Sequence, residues 1–229
     1  MTQDYTLNFD STSLGQMLSI YYRRIFPSYI FSKWIAYGEP GLSQSFKNRE
    51  FSFTIENDIY VRYQSFSNHI EFERELIRMC PFKMDIGAVY SIEPKSYQLI
   101  RSGSFQPIER ELIFDIDLSD YDDVRRCCRE GAVCTKCWPL MQIAVKIIDA
   151  SIREDFGYER ILWVFSGRRG IHCWVCDEAA RKLSNRVRES IVDYLSIVKW
   201  KRWLVQTCFS AKPDTSPFTT RFKDNRRML

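Results

Sequence analysis

The chain has 229 residues, 45% of them hydrophobic, which is enough for one compact domain with a sizeable core. It contains no apolar run of 18 residues and no recognisable signal peptide, so we expect neither a membrane span nor a secreted protein. The net charge of +4 is compatible with nucleic-acid binding but does not establish it.

The first 91 residues predict helices and strands in alternation. Apolar side chains recur at helical spacing over residues 14–25, so we expect an amphipathic helix packed on the core. Residues 49–66 form two alternating apolar runs broken by Glu56-Asn57-Asp58, which is typical of a β-hairpin. A short helix over 68–79 and a strand near 84–91 follow.

An apolar run over residues 111–117 ends in two acidic side chains, Asp115 and Asp117. Alternate strand residues point to opposite faces, so both aspartates share one face while Phe114 and Ile116 point to the other. Two carboxylates about 5 Å apart repel by roughly 3 kcal/mol at an effective dielectric of about 20. A buried pair therefore shares a proton or binds Mg²⁺ or Mn²⁺. The alternative is a solvated strand end that runs into an acidic turn.

Four of the eight cysteines follow the acidic strand at close spacing, Cys127, Cys128, Cys134 and Cys137. Their thiolates can surround one zinc ion tetrahedrally, and a closed four-sulfur shell has a structural role. We therefore predict a zinc knuckle over residues 127–137. Free or redox-active thiols are the alternative.

Residues 160–177 read as two apolar strands joined by Gly167-Arg168-Arg169-Gly170. The glycines allow positive φ, and the arginines offer forked donors that match phosphate oxygens. Ser166 and His172 flank the connection as further donors. An ordinary hairpin with a solvated basic tip, and a histidine satisfied within the core, remain alternatives.

The remaining elements are helical. Apolar residues over 140–152 form a helical stripe, and a long helix is expected from Glu178 to Lys199. We expect its inward face to contain five residues: Val187, Ile191, Tyr194, Leu195 and Val198.

A metal-binding acidic strand and a phosphate-binding basic turn together predict phosphoryl or nucleotidyl transfer. Six blocks carry a more specific resemblance: Tyr-Tyr-Arg-Arg-Ile-Phe-Pro (21–27), Arg-Glu-Phe-Ser-Phe-Thr (49–54), Asp-Ile-Tyr-Val-Arg-Tyr-Gln-Ser-Phe (58–66), Asp-Ile-Gly-Ala-Val-Tyr (85–90), the Asp115–Asp117 strand, and Ser-Gly-Arg-Arg-Gly-Ile-His-Cys-Trp-Val-Cys-Asp (166–177). From about Leu14 to Lys199 the chain resembles the catalytic small subunit of eukaryotic DNA primase, in the archaeo-eukaryotic primase superfamily.

The resemblance implies an α/β fold of mixed α and β elements, with a central sheet that carries the acidic strand, surrounding helices and an inserted zinc knuckle. It implies templated synthesis of short RNA primers in the nucleus from ribonucleoside triphosphates on single-stranded DNA, with the primase large subunit and the DNA polymerase alpha complex as partners.

By motif, the resemblance also assigns roles to individual residues. Asp115 and Asp117 correspond to metal-binding catalytic aspartates, and Glu50 to a further active-site carboxylate. The triphosphate pocket corresponds to Ser166, Gly167, Arg168, Arg169 and His172, and the nucleotide site to Tyr60, Arg62 and Asp85. From the residues alone, Glu50, Tyr60 and Arg62 read equally well as polar residues on a strand surface.

The resemblance assigns residues 1–199 to an incomplete primase catalytic domain and leaves residues 200–229 as a divergent, poorly ordered basic tail. The family continues further, with a third metal-binding aspartate that cannot be assigned here, so we expect a truncated form or an incomplete gene model. Two alternatives to an active primase stay open: an impaired form that binds the primase complex or nucleic acid, and an unrelated metal-dependent nuclease.

Overall fold

The computed structural model describes residues 11–38, 43–99 and 103–195, so the expected tail over 200–229 lies outside the described residues. This part of the chain divides into two compact units, residues 11–108 and residues 109–195. Each unit combines helices with an antiparallel sheet, which confirms the mixed α and β class. No helix of the described residues is both long and apolar enough to cross a lipid bilayer.

The first unit has four helices and a four-stranded sheet. The helices are α1 (Ser11–Arg24), α2 (Ser28–Ile35), α3 (Gln44–Lys47) and α4 (His69–Met79). The strands are β1 (Arg49–Ile55), β2 (Ile59–Gln64), β3 (Lys83–Tyr90) and β4 (Pro107–Glu109), in the order β2-β1-β3-β4. The predicted β1–β2 hairpin is confirmed, and its turn contains Asn57 and Asp58 at positive φ.

A cluster of phenylalanines forms the core of the first unit around Phe72 of α4. Phe72 is fully buried, and its ring lies 5.1 to 6.3 Å from five other phenylalanine rings, those of Phe26, Phe31, Phe46, Phe51 and Phe66. Asn68 caps the start of α4, because its side chain accepts hydrogen bonds from the backbone N–H groups of Ile70 and Glu71.

Helix α1 only partly matches its expected packing. Tyr22 is buried, and its hydroxyl donates a hydrogen bond of 2.6 Å to the Pro81 carbonyl. The expectation that the whole stripe over 14–25 packs in the core is wrong, because Leu14, Tyr21 and Ile25 are exposed. The helix does contact α4, but the periodicity of the sequence predicts a wider buried face than the structure shows.

The second unit has a three-stranded sheet and three helices. The strands are β5 (Leu112–Asp117), β6 (Ile161–Phe165) and β7 (Gly170–Val175), in the order β5-β7-β6. The helices are α5 (Trp138–Glu154), α6 (Glu178–Arg181) and α7 (Asn185–Leu195). The described strands thus form two sheets instead of one central sheet, and the acidic strand β5 lies at an edge of the smaller one.

Helix α5 covers the apolar face of the smaller sheet. Its buried residues Met141, Ala144, Ile148 and Ile152 belong to the same core cluster as the buried strand residues of β5 and β7. Because Phe114 and Ile116 are buried in this cluster, strand alternation turns Asp115 and Asp117 to the opposite face. The core therefore fixes the direction of both carboxylates.

The prediction of one long helix from Glu178 to Lys199 is wrong over the described residues, because a non-helical segment separates α6 from α7. Ser184 directly precedes α7, and its carbonyl accepts a hydrogen bond from the Arg188 backbone N–H. Of the five expected inward residues, Ile191 and Leu195 are buried, whereas Val187 and Tyr194 are exposed. Val198 lies outside the described residues.

Candidate active site

The acidic strand and the basic hairpin lie side by side in the second unit. Strand β5 pairs with β7 in a register that sets Asp115 opposite His172 and Asp117 opposite Gly170. The predicted hairpin is confirmed, since β6 pairs with β7 and residues 166–169 connect them. Sequence positions more than 50 residues apart are thereby brought to one end of a single sheet.

Asp117 is the more enclosed of the two strand aspartates. Arg169 donates from Nε to both carboxylate oxygens of Asp117, at 2.8 and 2.9 Å. Ser119 donates to Oδ1 from its backbone N–H at 2.8 Å and from its hydroxyl at 2.7 Å. Burial acts to raise the pKa of Asp117, but the Ser119 and Arg169 donors outweigh it and hold that pKa below its ordinary value.

Asp115 is more open than Asp117 and faces the histidine. Its side chain keeps 28% of its surface exposed, compared with 12% for Asp117, and His172 Nε2 lies 3.4 Å from its Oδ1. His172 itself is buried. The contact places a titratable nitrogen beside the carboxylate that has the greater access to solvent.

The connection between β6 and β7 is a tight turn closed by Ser166. The Ser166 hydroxyl accepts a 2.9 Å hydrogen bond from the Gly170 N–H, and the Ser166 N–H donates to the Gly170 carbonyl at 2.9 Å. Gly167 takes the positive φ expected of it, at 88°. Gly170 does not, which corrects the sequence argument. A glycine is required at this position for a steric reason, because a Cβ there would lie 2.8 Å from the Ile116 carbonyl oxygen.

The four predicted cysteine ligands come together in the loop before α5. The Sγ atoms of Cys127, Cys128, Cys134 and Cys137 all lie within 4.8 Å of one another, and no other group of three or more such ligand residues is found in the described residues. Hydrogen bonds from the backbone N–H groups of Cys137 and Lys136 lower the pKa of the Cys134 thiol to about 6. This cluster can hold one metal ion through thiolate sulfur.

Arg125 is a residue of this loop that the sequence reasoning missed. Its side chain is almost completely buried, and Nη1 lies 3.8 Å from Cys128 Sγ and 3.9 Å from Cys137 Sγ. The same guanidinium forms an ion pair with Asp122. A fixed positive charge beside four thiols offsets the negative charge that they gain when they ionise.

The remaining predicted site residues lie in the first unit and centre on Glu50. This carboxylate is fully buried, and Arg62 donates to Oε1 from Nε at 3.1 Å and from Nη2 at 3.0 Å. The Tyr63 backbone N–H lies 3.4 Å from the same oxygen, while Tyr63 takes a φ of 58°. Glu50 is thus a paired, buried charge and not a solvated strand-surface residue.

Two strand irregularities explain how Glu50 is surrounded. The pairing of β1 with β2 shifts between Phe51 and Phe53, and its pairing with β3 shifts between Arg49 and Phe51. The extra residues bulge beside Glu50 on both sides. Gly87 lies in the second bulge, where a Cβ would approach Glu50 Cβ to 2.9 Å. A glycine within a strand run is a sequence signal for a bulge, so Gly87 could have indicated the second one, whereas the first has no such signal.

Tyr60 and Asp85 form a second polar pair in the first unit. The Tyr60 hydroxyl donates a hydrogen bond of 2.9 Å to Asp85 Oδ2, and Asp85 is buried. Burial, together with Asp85, raises the pKa of Tyr60 to about 12, against an opposing hydrogen bond with Ser52. Tyr60 therefore stays protonated at neutral pH and keeps its hydrogen bond to Asp85.

The predicted site residues fall into one group in each unit. Glu50, Tyr60, Arg62 and Asp85 form the first group. The second contains Asp115, Asp117, Ser166, Gly167, Arg168, Arg169 and His172, with the four cysteines in the same unit. Two carboxylates beside a two-arginine turn are typical of proteins that bind phosphates together with a divalent cation.

Comparisons with known proteins give the family. The DNA primase small subunit family matches residues 114–227, which continues past Lys199, where the resemblance was expected to end. The DNA primase small subunit of Drosophila melanogaster is 49% identical over 187 residues, 82% of this chain and 42% of that protein. The Schizosaccharomyces pombe protein of the same name is 48% identical over 78% of this chain and 39% of its own length.

An archaeal protein, the DNA primase small subunit PriS of Archaeoglobus fulgidus, is 29% identical over 73% of this chain and 48% of its own length. This chain therefore spans less than half of the length of these relatives. The chain belongs to the DNA primase small subunit family.

Proposed function

We propose that the chain carries catalytic residues of a DNA primase, which joins ribonucleoside triphosphates into short RNA primers on single-stranded DNA. The observation that carries this proposal is the pairing of β5 with β7. It sets Asp115 and Asp117 beside His172 and Arg169, so acceptors for a divalent cation and donors for phosphate meet at one sheet end.

The donor set of the two aspartates fits Mg²⁺ or Mn²⁺. Both ions prefer carboxylate oxygens. Asp117 Oδ1 already accepts from Arg169 and twice from Ser119, whereas Oδ2 accepts from Arg169 and keeps a second lone pair for a cation. A cation bound there supplies Lewis acidity to the reacting phosphate. Arg169 and His172 bind and orient the phosphate oxygens, and Ser166 and Gly167 shape the turn that carries the arginines.

In the first unit, we assign Glu50 and Arg62 to the nucleotide site, with Glu50 as a further active-site carboxylate. Because Arg62 donates to Oε1 from Nε and Nη2 and also to Oε2 from Nη2 at 3.3 Å, the Glu50 carboxylate is fixed in one orientation. Tyr60 and Asp85 complete the polar lining. Because the Tyr60 proton is donated to Asp85, the pair offers acceptor oxygens for the hydroxyl groups of a ribose or the amino groups of a base.

The four-cysteine cluster is proposed to hold zinc in a structural role. Four sulfurs close a tetrahedral shell, which leaves no open position for substrate. The primase large subunit and the DNA polymerase alpha complex are proposed as partners, and the nucleus as the location. These assignments rest on the family alone.

A primer-free synthesis assay tests the proposal. The purified chain is mixed with single-stranded template, ATP and Mg²⁺, and dinucleotide formation is measured with and without the proposed partner subunit. Template-dependent dinucleotides support the proposal. If neither mixture yields product and labelled ATP does not bind in the presence of Mg²⁺ or Mn²⁺, the proposal is wrong.

Arg169→Ala is expected to raise the KM for triphosphate about 10- to 100-fold, because a charge-assisted hydrogen bond to phosphate contributes about 1.5 to 3 kcal/mol. Initial rates against ATP concentration measure the change. Arg160→Ala is the matched control, since Arg160 is exposed at the other end of the hairpin. An unchanged KM would remove Arg169 from the phosphate pocket.

Cys134→Ser is expected to release the bound metal and to loosen the loop before α5, because it removes one of four ligands from a closed shell. Elemental analysis of the purified variant gives the metal-to-protein ratio. Cys176→Ser serves as the control, since Cys176 is not part of the cluster. Full metal content in Cys134→Ser would exclude that thiol as a ligand.

A further inference from the structure

Gly131 lies in the loop between Cys128 and Cys134, and the Arg168 guanidinium packs against its Cα. A Cβ added at Gly131 would lie 3.1 Å from Arg168 Cζ and closer still to Nη2. Gly131 does not take a left-handed backbone conformation, so an alanine is allowed by the backbone there. Only the Arg168 side chain excludes one.

The position of Gly131 is fixed by both of its neighbours in sequence. Arg125 donates hydrogen bonds of 2.8 Å to the Glu130 carbonyl and to the Ala132 carbonyl. The Glu130 N–H donates to Asp122 Oδ2 at 2.9 Å. The buried guanidinium that contacts the cysteine sulfurs thus also holds the backbone on either side of Gly131.

Arg168 differs from Arg169 in its partners. Arg169 is paired with Asp117, whereas no hydrogen bond or ion pair engages the Arg168 guanidinium within residues 11–38, 43–99 and 103–195. The Arg168 side chain is nevertheless half-buried. A guanidinium held by packing, with its donors unused, is ready to bind an anion.

We propose that Gly131 is a positioning residue, through which the four-cysteine loop holds the Arg168 guanidinium ready to bind a triphosphate. The triphosphate part rests on the proposed function. The structural link runs from the cysteine cluster through Arg125 to Gly131, and from Gly131 to Arg168. Loss of the metal or addition of a methyl group at Gly131 would then move Arg168 without touching the turn that carries it.

The test is a double-mutant cycle of Gly131→Ala and Arg168→Ala in the full chain, with two readouts. The first is the urea midpoint of unfolding. Gly131→Ala is expected to shift this midpoint differently with and without Arg168, because the new methyl group meets no guanidinium once Arg168 is replaced. Equal shifts in both backgrounds would overturn the contact.

The second readout is the dissociation constant of ATP with Mg²⁺, measured by equilibrium binding. Gly131→Ala is expected to raise it about 5- to 20-fold when Arg168 is present and not to raise it further on top of Arg168→Ala. Metal content should stay at the wild-type ratio. A wild-type dissociation constant in Gly131→Ala, or an equal increase in both backgrounds, would overturn the positioning role.

Gly15→Ala is the matched control, because Gly15 also lacks a left-handed conformation but has no atom within 4 Å of an added Cβ. It should leave ATP binding unchanged and show no coupling to Arg168→Ala. If the wild-type chain binds no ATP, the proposed function fails, whereas the unfolding cycle still decides whether Gly131 positions Arg168.

Discussion

Asp117→Asn is expected to lower primer synthesis at least about 1,000-fold, which corresponds to about 4 kcal/mol of transition-state stabilisation. The reason is that asparagine keeps the shape of the side chain but removes the negative charge that a divalent cation needs. Initial rates of dinucleotide formation, with saturating ATP and Mg²⁺, measure the effect. The exposed residue Asp123 provides the control variant, Asp123→Asn, which should retain wild-type synthesis.

Asp117→Asn should also lower the stability of the fold. Simple relief of the repulsion between Asp115 and Asp117 would raise it instead. Arg169 and Ser119 already compensate the Asp117 charge, so we expect a loss of about 1 kcal/mol. Because the folded-state pKa is lowered, this stabilisation is present above the unfolded pKa and is lost as pH falls through the folded one. Urea unfolding of Asp117→Asn should therefore depend less on pH below about pH 4.

Synthesis by Asp117→Asn within about tenfold of the wild type would remove the residue from the metal site. Increased stability at neutral pH would contradict the compensation by Arg169. The two outcomes are independent, because synthesis reports on the bound cation and unfolding reports on the contacts of the side chain.

Arg188→Met is expected to cause the largest loss of stability, about 3 kcal/mol, by leaving backbone carbonyls without donors. The half-buried guanidinium donates to five carbonyl oxygens, at 2.6 to 3.3 Å, those of Arg110, Glu111, Ala180, Arg181 and Leu183. These contacts join the segment between α6 and α7 to the two residues that precede β5. Burial lowers the pKa of Arg188, but the group stays charged at neutral pH.

Urea unfolding of Arg188→Met at neutral pH measures this prediction. Arg186→Met is the matched control, because Arg186 is an exposed arginine on the same helix. The control should change stability by less than about 0.5 kcal/mol. An equally small effect of Arg188→Met would show that water satisfies the five carbonyls when the guanidinium is absent.

The sequence predicted those parts of the site that depend on strand alternation and on close spacing. Asp115 and Asp117 share a face because side chains in a strand alternate, whatever the surrounding fold. The four cysteines converge because few residues separate them. The basic hairpin followed from two apolar runs around a glycine-containing connection. In each case, local geometry was sufficient for the prediction.

The parts that the sequence did not predict depend on contacts between distant elements. Nothing in the local sequence indicates that Arg188 donates to the carbonyls of the residues before β5. The periodicity of the sequence likewise predicted one continuous helix where the structure has α6 and α7 with a non-helical segment between them. The bulges beside Glu50 arise from pairing with two neighbouring strands at once. Likewise, Gly131 and Arg168 are 37 positions apart in the sequence, and only the folded loop brings them together.

The antiparallel pairing of β5 with β7 has a strongly specified register, and this register determines where Asp115 and Asp117 lie. A slip of one residue would turn Asp115 and Asp117 toward the apolar side chains of α5 and expose Phe114 and Ile116 to water. Such an error would combine buried charge with lost hydrophobic burial, so the misaligned state is heavily disfavoured. The burial of the apolar side chains thus fixes the strand register that places both carboxylates on the outer face of the sheet.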